Sequence, residues 1–336
     1  MKIPSSHLRT RQWLAAIILV VITVTSALAG TAFSKLVVFG DSLNDTGNLY
    51  QFTKGAFPPA AMYANGRQSN GPVWVEYLAK QLGLEGKIAN YAVIGALTKT
   101  TVLGPLTVDG ESDWSNVWSD TFSGLQGTDV RTQVQDYLGD VNGRADPAAL
   151  FILEGGSNDL PRVQDATLII SNLIESLFAL QMAGAKHILV VNLPDAGKTP
   201  RVIIGEQRGL LPRGYGTFVS GVCAQLNQGL SFGISQATFP GATITVADVY
   251  AFMNSVVANP AKFGLTQVQM PYLLLGAGSN PAQWLFWDDL HPTTRGHEIF
   301  AEQVVVTLVQ RYSPGQGNVG KGAINSLNGL VKAPGR

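Results

Sequence analysis

Residues 37–47 read VVFGDSLNDTG, an apolar run that stops at Gly40 and gives way to small polar side chains. The stretch fits an ordinary strand-to-loop turn, an acidic loop for phosphate and magnesium, or the seat of a nucleophilic serine, Ser42. The magnesium chemistry needs an Asp-x-Asp nucleophile at the end of an earlier strand, and no Asp-x-Asp occurs in the chain. A nucleophilic serine needs a general base, for which histidine is the usual side chain. Four histidines are available.

His7 lies in the N-terminal segment, His187 starts an apolar run, and His297 falls within an amphipathic helical pattern. His291 stands in FWDDLHPT (286–293), between an aromatic run and the last helix. Asp288 precedes it by three residues. That spacing lets one turn bring the carboxylate back onto the imidazole, where it accepts the Nδ1 proton and turns Nε2 toward the serine. Asp289 is the rival orienter, but adjacent side chains diverge, which favours Asp288. Thr293 or Thr294 is expected to cap the helix that follows. Acyl transfer also needs donors for an oxyanion. The candidates are the Asn158 side-chain amide in Gly156-Ser-Asn158-Asp159, the Gly95 N–H in NYAVIGA, and the N–H of Ser42.

Two other glycine patterns lack the required context. Gly315–Gly320 follows a helix and leaves too few residues for a βαβ unit. Gly229-Leu-Ser-Phe-Gly233 matches a nucleophile elbow, which requires a preceding strand, whereas Ser231 sits inside a helical pattern.

The elements that must position these groups alternate along the chain. Short apolar runs at 36–39, 88–96, 149–156, 187–194 and 242–248 read as strands. Helical spacing appears at 73–83, 129–140, 166–184, 217–239 and 293–312, with a Gly/Pro/Arg-rich loop before 217. Continuous apolar strands alternating with helices predict one α/β domain with a parallel sheet covered on both faces. Ligands then bind beyond the C-terminal strand ends, where Ser42, Gly95 and Asn158 fall. Residues 97–127 lack periodicity, which marks them as a lid or binding-loop insertion. Phe52, Phe57, Tyr63, Trp114, Trp118 and Phe122 form either an apolar rim for acyl chains or small local cores.

Composition sets further bounds. With 46% apolar and 14% charged residues the chain can bury a large core, which excludes a disordered protein. Zero formal charge provides no basic footprint for nucleic acid. The single cysteine, Cys223, excludes an intramolecular disulfide framework or a cysteine-based zinc site, and reads as a small apolar core residue. Lys2, Arg9 and Arg11 precede the apolar run WLAAIILVVITV (13–24), and Ala27-Leu28-Ala29 supplies a cleavage pattern. Residues 1–29 are therefore expected to be a signal peptide, residues 30–312 a single catalytic domain, and residues 313–336 a Gly-rich tail. The apolar run is too short for a permanent span, so the expectation is a secreted protein with at most peripheral membrane contact.

The set GDSL (40–43), Gly95, Gly156-Ser-Asn158-Asp159 and Asp288-x-x-His291 resembles the four blocks of the GDSL, or SGNH-hydrolase, family of lipases and esterases. FGDSLNDTGN (39–48), GRQSNGPVWVEYLA (66–79), NYAVIGA and FWDDLHPT are similar to its secreted lipase/acylhydrolase branch. The resemblance implies a flavodoxin-like three-layer αβα fold with a five-stranded, mainly parallel sheet. It also implies an ester hydrolase that uses no metal and no cofactor, acting on acyl esters including lipid or phospholipid. By position it makes Ser42 the nucleophile, His291 the base and Asp288 its orienter, with Ser42, Gly95 and Asn158 as the oxyanion hole. Family members often carry a second glycine where this chain has Ile94, a change that would narrow an acyl pocket. The same blocks are compatible with an acyltransferase, a carbohydrate acetyl esterase, or an idle surface protein on this fold.

Overall fold

A computed structural model describes residues 33–99, 128–161 and 165–312. The expected signal peptide, the tail and most of the 97–127 insertion, with Trp114, Trp118 and Phe122, lie outside these residues. Strands β1 (Leu36–Phe39), β2 (Ile88–Asn90), β3 (Leu150–Leu153), β4 (His187–Val191) and β5 (Thr243–Ala247) form one sheet ordered β2-β1-β3-β4-β5. Every pair in it is parallel. This is the flavodoxin-like order, whose switch point lies between β1 and β3.

The apolar runs are continuous because both faces of the sheet are covered. Side chains on a strand alternate between faces. Leu36 and Val38 accordingly pack with Trp74, Leu78, Val304 and Leu308 on one side. Val37 and Phe39 pack with Val134, Tyr137, Leu173 and Leu177 on the other. Each fully buried side chain of this kind contributes about 1.5–3 kcal/mol. The first layer holds α2 (Trp74–Gln81) and the long C-terminal helix; the second holds α3 (Val130–Asp140) and α4 (Ala166–Met182). The short helix α1 (Asn48–Phe52) follows the β1 turn.

Three features depart from expectation. The second strand stops at Asn90 rather than running to residue 96. Beyond it Tyr91 N–H and Val93 N–H still donate to Val38 O and Gly40 O, while the Asn90 side chain accepts from Ala92 N–H and donates to Asn44 O and Thr46 Oγ1. The Gly/Pro/Arg-rich stretch contains helix α5 (Pro200–Gln207) ahead of α6 (Tyr215–Gln236). Pro200 suits the first turn, where no intrahelical partner for an N–H exists. After β5 come α7 (Val249–Ala258), α8 (Tyr272–Leu275) and a second, two-stranded parallel sheet of β6 (Gln267–Pro271) and β7 (Trp284–Phe286). β7 delivers the chain to FWDDLHPT and then to α9 (Thr294–Tyr312).

Three local expectations hold. His187 lies at the far end of the sheet between the rings of Phe33 and Tyr312, and Cys223 is buried within α6. Ser231 falls inside the same helix. No described helix is long and apolar enough to cross a membrane.

Candidate active site

Beyond β1 the chain must turn sharply, and Gly40 permits it. A Cβ there would sit 2.3 Å from Asn44 Nδ2 and 3.0 Å from Glu154 Oε2. Gln133 on α3 clamps the same peptide, accepting from Gly40 N–H at 2.8 Å and donating to Gly40 O at 2.9 Å. The acidic residues of the turn are occupied by backbone. Asp45 accepts from the N–H groups of Gly47, Asn48, Leu49 and Ile94. Asn48 donates to Asn90 O and Ala92 O, and Asp41 Oδ1 accepts from Leu43 N–H. The stretch is thus a braced turn that presents Ser42, which is 8% exposed.

The Asp-x-x-His loop folds as its spacing predicts. Asp288 Oδ1 accepts from the N–H groups of Leu290 and His291, so the carboxylate turns back onto the imidazole. Nδ1 of His291 lies 2.8 Å from Asp288 Oδ2, and Nε2 lies 2.9 Å from Ser42 Oγ. Thr293 also caps α9, its hydroxyl accepting from Gly296 N–H. Asp289 points elsewhere and pairs with Arg201 of α5 at 2.8 Å. Burial opposes charge on both members of the Asp288–His291 pair, but their mutual attraction and hydrogen bonds together outweigh it. Asp288 is held below the usual carboxylate range and His291 above the usual imidazole value. His297, buried one turn further on, is pushed down to about 3 by burial and by His291, and stays neutral.

Such a chain can draw the proton from Ser42 Oγ while Asp288 stabilises the imidazolium that forms. The expected oxyanion donors gather at the same strand ends. Gly95 adopts a φ of 79°, open to glycine and costly for other residues. Among the described residues neither the Ser42 nor the Gly95 N–H donates to a protein acceptor. Asn158 has both amide hydrogens engaged, with Asp41 Oδ2 at 3.2 Å and Ala96 O at 3.0 Å. Ile94 packs into a small core with Leu49 and Phe57, and does not line the cavity described below.

Four residues escaped the sequence reading. Tyr63, assigned there to the aromatics, is buried and donates to Asp288 Oδ2 at 2.8 Å. Burial and the Asp288 charge push its phenol pKa up, so it remains a donor. Gln133 and Arg201 lie on helices with no motif to mark them. Glu154 carried the one available signal, a lone carboxyl at the end of the buried run LFIL. Of the other aromatics, Phe57 is buried and Phe52 is exposed.

Beside the loop lies an apolar cavity of about 100 Å³ lined by Leu43, Leu290, Phe252, Met253, Val256 and Leu285, among others. It adjoins the residue after Ser42 and the residue before His291. Among the described residues no group of His, Cys, Asp and Glu is arranged to hold a metal ion.

The family model described as GDSL-like lipase/acylhydrolase matches residues 36–304. The chain is 27% identical to the thermolabile hemolysin of Vibrio parahaemolyticus, over 83% of this chain and 65% of that protein, just under two thirds of its length. It is 27% identical to the phosphatidylcholine-sterol acyltransferase of Aeromonas hydrophila, over 90% of this chain and 98% of that one. A crystal structure of a G-D-S-L family lipolytic protein from Veillonella parvula aligns with 81% of this chain and 96% of that one, at TM-score 0.43 and 13% identity.

Proposed function

The chain belongs to the GDSL-like lipase/acylhydrolase family, and from that premise we propose that it is a serine ester hydrolase, secreted after removal of residues 1–29. Carboxylic acyl esters are cleaved through an acyl-Ser42 intermediate. The observation that carries the reading is the 2.9 Å contact of His291 Nε2 with Ser42 Oγ, on an imidazole held from behind by Asp288.

In the first step Ser42 Oγ attacks the ester carbonyl and its proton passes to His291 Nε2. The oxyanion is received by the N–H groups of Ser42 and Gly95. Asn158 joins them by exchanging its bond to Ala96 O for one to substrate while keeping its bond to Asp41. His291 then protonates the leaving alcohol, and water attacks the acyl-enzyme by the same route in reverse. The apolar cavity beside Leu43 and Leu290 supports an apolar acyl group. At about 100 Å³ it has room for several water-sized groups, and so for a short chain.

The test is Ser42→Ala with p-nitrophenyl esters and a fluorophosphonate label. Hydrolysis and labelling are expected to vanish together; a mutant that hydrolyses at the wild-type rate overturns the scheme. One observation favours a second reading, an acyltransferase. The similarity to the Aeromonas hydrophila phosphatidylcholine-sterol acyltransferase runs over nearly the whole of both chains. Acyl transfer to sterol in product analysis, at the expense of free fatty acid, would select it.

A further inference from the structure

Two carboxyl groups meet under the Ser42 turn. Glu154 follows β3, is 1% exposed, and reaches toward β1, where Asp41 is 2% exposed. Oε2 of Glu154 accepts from Asn44 Nδ2 at 2.7 Å and lies 3.4 Å from Asp41 N. Oε1 is buried without a hydrogen-bond acceptor role toward any described donor. Asp41 has two donors, Leu43 N–H on Oδ1 and Asn158 Nδ2 on Oδ2. Gly40 makes the arrangement possible, since any Cβ there would strike Asn44 and crowd Glu154 Oε2.

The neighbours include no compensating cation. Among the described residues no Lys or Arg forms an ion pair with either carboxyl. α3 contributes the neutral Gln133 and α2 the neutral Trp74, whose Nε1 donates to Asn44 Oδ1. Burial raises the Asp41 pKa, against which the Leu43 N–H, the Glu154 side chain and His291, facing it from the catalytic loop, favour its anion. His297 of α9 shares the cavity wall with Glu154 and is itself neutral.

Two buried carboxylates without a cation cannot both be ionised. Asp41 has the donors that stabilise an anion, so the proton belongs to Glu154. Burial and the neighbouring Asp41 charge push the Glu154 pKa well up, in agreement with that division. Protonation also fits the side-chain hydrogen bond between Glu154 and Asp41, since two carboxylates have no donor between them, and it removes the charge that Oε1 would otherwise carry unsolvated.

We propose that Glu154 is a positioning residue, a neutral carboxylic acid hydrogen-bonded to Asp41 that fixes the Asn158 amide and the turn carrying the Ser42 N–H for oxyanion binding. The proposal rests on the reading of Asn158 and Ser42 as oxyanion donors. Glu154 touches no reacting atom; it acts through Asp41 Oδ2 on Asn158 and through Asp41 Oδ1 on Leu43 N–H.

The experiment compares wild type, Glu154→Gln, Glu154→Met and Ser42→Ala. Kinetics on p-nitrophenyl butyrate across pH are combined with infrared spectra of the carboxylic-acid C=O region. Glu154→Met leaves Asn44 and Asp41 without their partner and is expected to lower kcat about 10²-fold with KM unchanged, near the value of one oxyanion donor. Glu154→Gln keeps both a donor and an acceptor and is expected to recover kcat to within about threefold. It should also remove an alkaline decline in kcat that the wild type shows as Glu154 ionises. The wild-type spectrum should contain a protonated-carboxyl band that Glu154→Gln lacks, a readout independent of how well Glu154→Met folds. Absence of that band, or a Gln variant as impaired as the Met variant, overturns the proposal. An inactive Ser42→Ala beside a fully active Glu154→Met overturns the Glu154 role alone. A Ser42→Ala protein that hydrolyses at the wild-type rate overturns the serine reading beneath it.

Discussion

The phenol of Tyr63 donates a 2.8 Å hydrogen bond to Asp288 Oδ2 across 225 residues of chain. It extends the contacts of Ser42, His291 and Asp288 into a fourth member and gives the carboxylate a donor besides the imidazole and the loop N–H groups. Hydrogen bonds to a charged group contribute about 1.5–3 kcal/mol, though here part of that is recovered by the remaining donors. Tyr63→Phe is therefore expected to lower kcat about three- to thirtyfold with KM unchanged. Without the phenol the carboxylate becomes more basic and holds the imidazolium more tightly. The acid limb of kcat/KM should move to higher pH, and a pH profile of the variant checks this.

The two adjacent aspartates make an internal comparison. Asp288 orients the imidazole, whereas Asp289 and Arg201 tie the loop to α5 through a part-exposed ion pair. Asp288→Asn is expected to lower kcat about 10³–10⁴-fold, as loss of a triad carboxylate does elsewhere. Asp289→Asn should keep kcat within about threefold and lower Tm by only a few degrees, since exposed pairs contribute about 0–1 kcal/mol. Steady-state kinetics and thermal melts of both variants decide between the assignments.

The pH dependence follows from the direction of the His291 shift. Its folded-state value is raised above 6.5: burial, the largest single effect, lowers it, but the Asp288 charge, the Asp288 hydrogen bond and the Asp289 charge together outweigh burial. The base form is needed for attack, so kcat/KM should rise with pH through an apparent pKa above 6.5. The stability effect has the opposite sign. The protonated, paired imidazole stabilises the fold fully below about 6.5, and that contribution is lost as pH rises through the folded value. Rate profiles and melts over the same pH series test both limbs.

The cavity beside Leu43 and Leu290 predicts control of chain length. Val256 lines it and is buried. Val256→Phe should fill part of the space at a stability cost of about 1–3 kcal/mol. The kcat/KM ratio of octanoate to acetate esters is expected to fall at least about tenfold. An unchanged ratio in a folded variant would place the acyl chain elsewhere.

The sheet was legible because its strands carry their burial in their own composition. LVVF, LFIL and HILVV are apolar on both faces and alternate with helical periods, which only a covered parallel sheet accommodates. The second strand was read too long because its apolar run continues past Asn90, where the Asn90 side chain takes the Ala92 N–H. Helix α5 was hidden in a Gly/Pro/Arg-rich stretch, although Pro200 fits its first turn. The two-stranded sheet was missed because a three-residue strand has too little pattern to be seen.

By itself the sequence determined which residue types stand at the ends of strands and which pairs a single turn must join. Asp288 meets His291 because three residues of backbone allow few other outcomes, and Ser42 stands in a turn because Gly40 ends a strand there. Tertiary structure alone decided that Ser42 and His291 lie 2.9 Å apart, that Tyr63 and not solvent completes Asp288, and that Glu154 sits beneath Asp41. Those partners are 249, 225 and 113 residues apart. Local dihedral preferences carry no information over such distances. Packing of the two helical layers on the sheet brings these groups together.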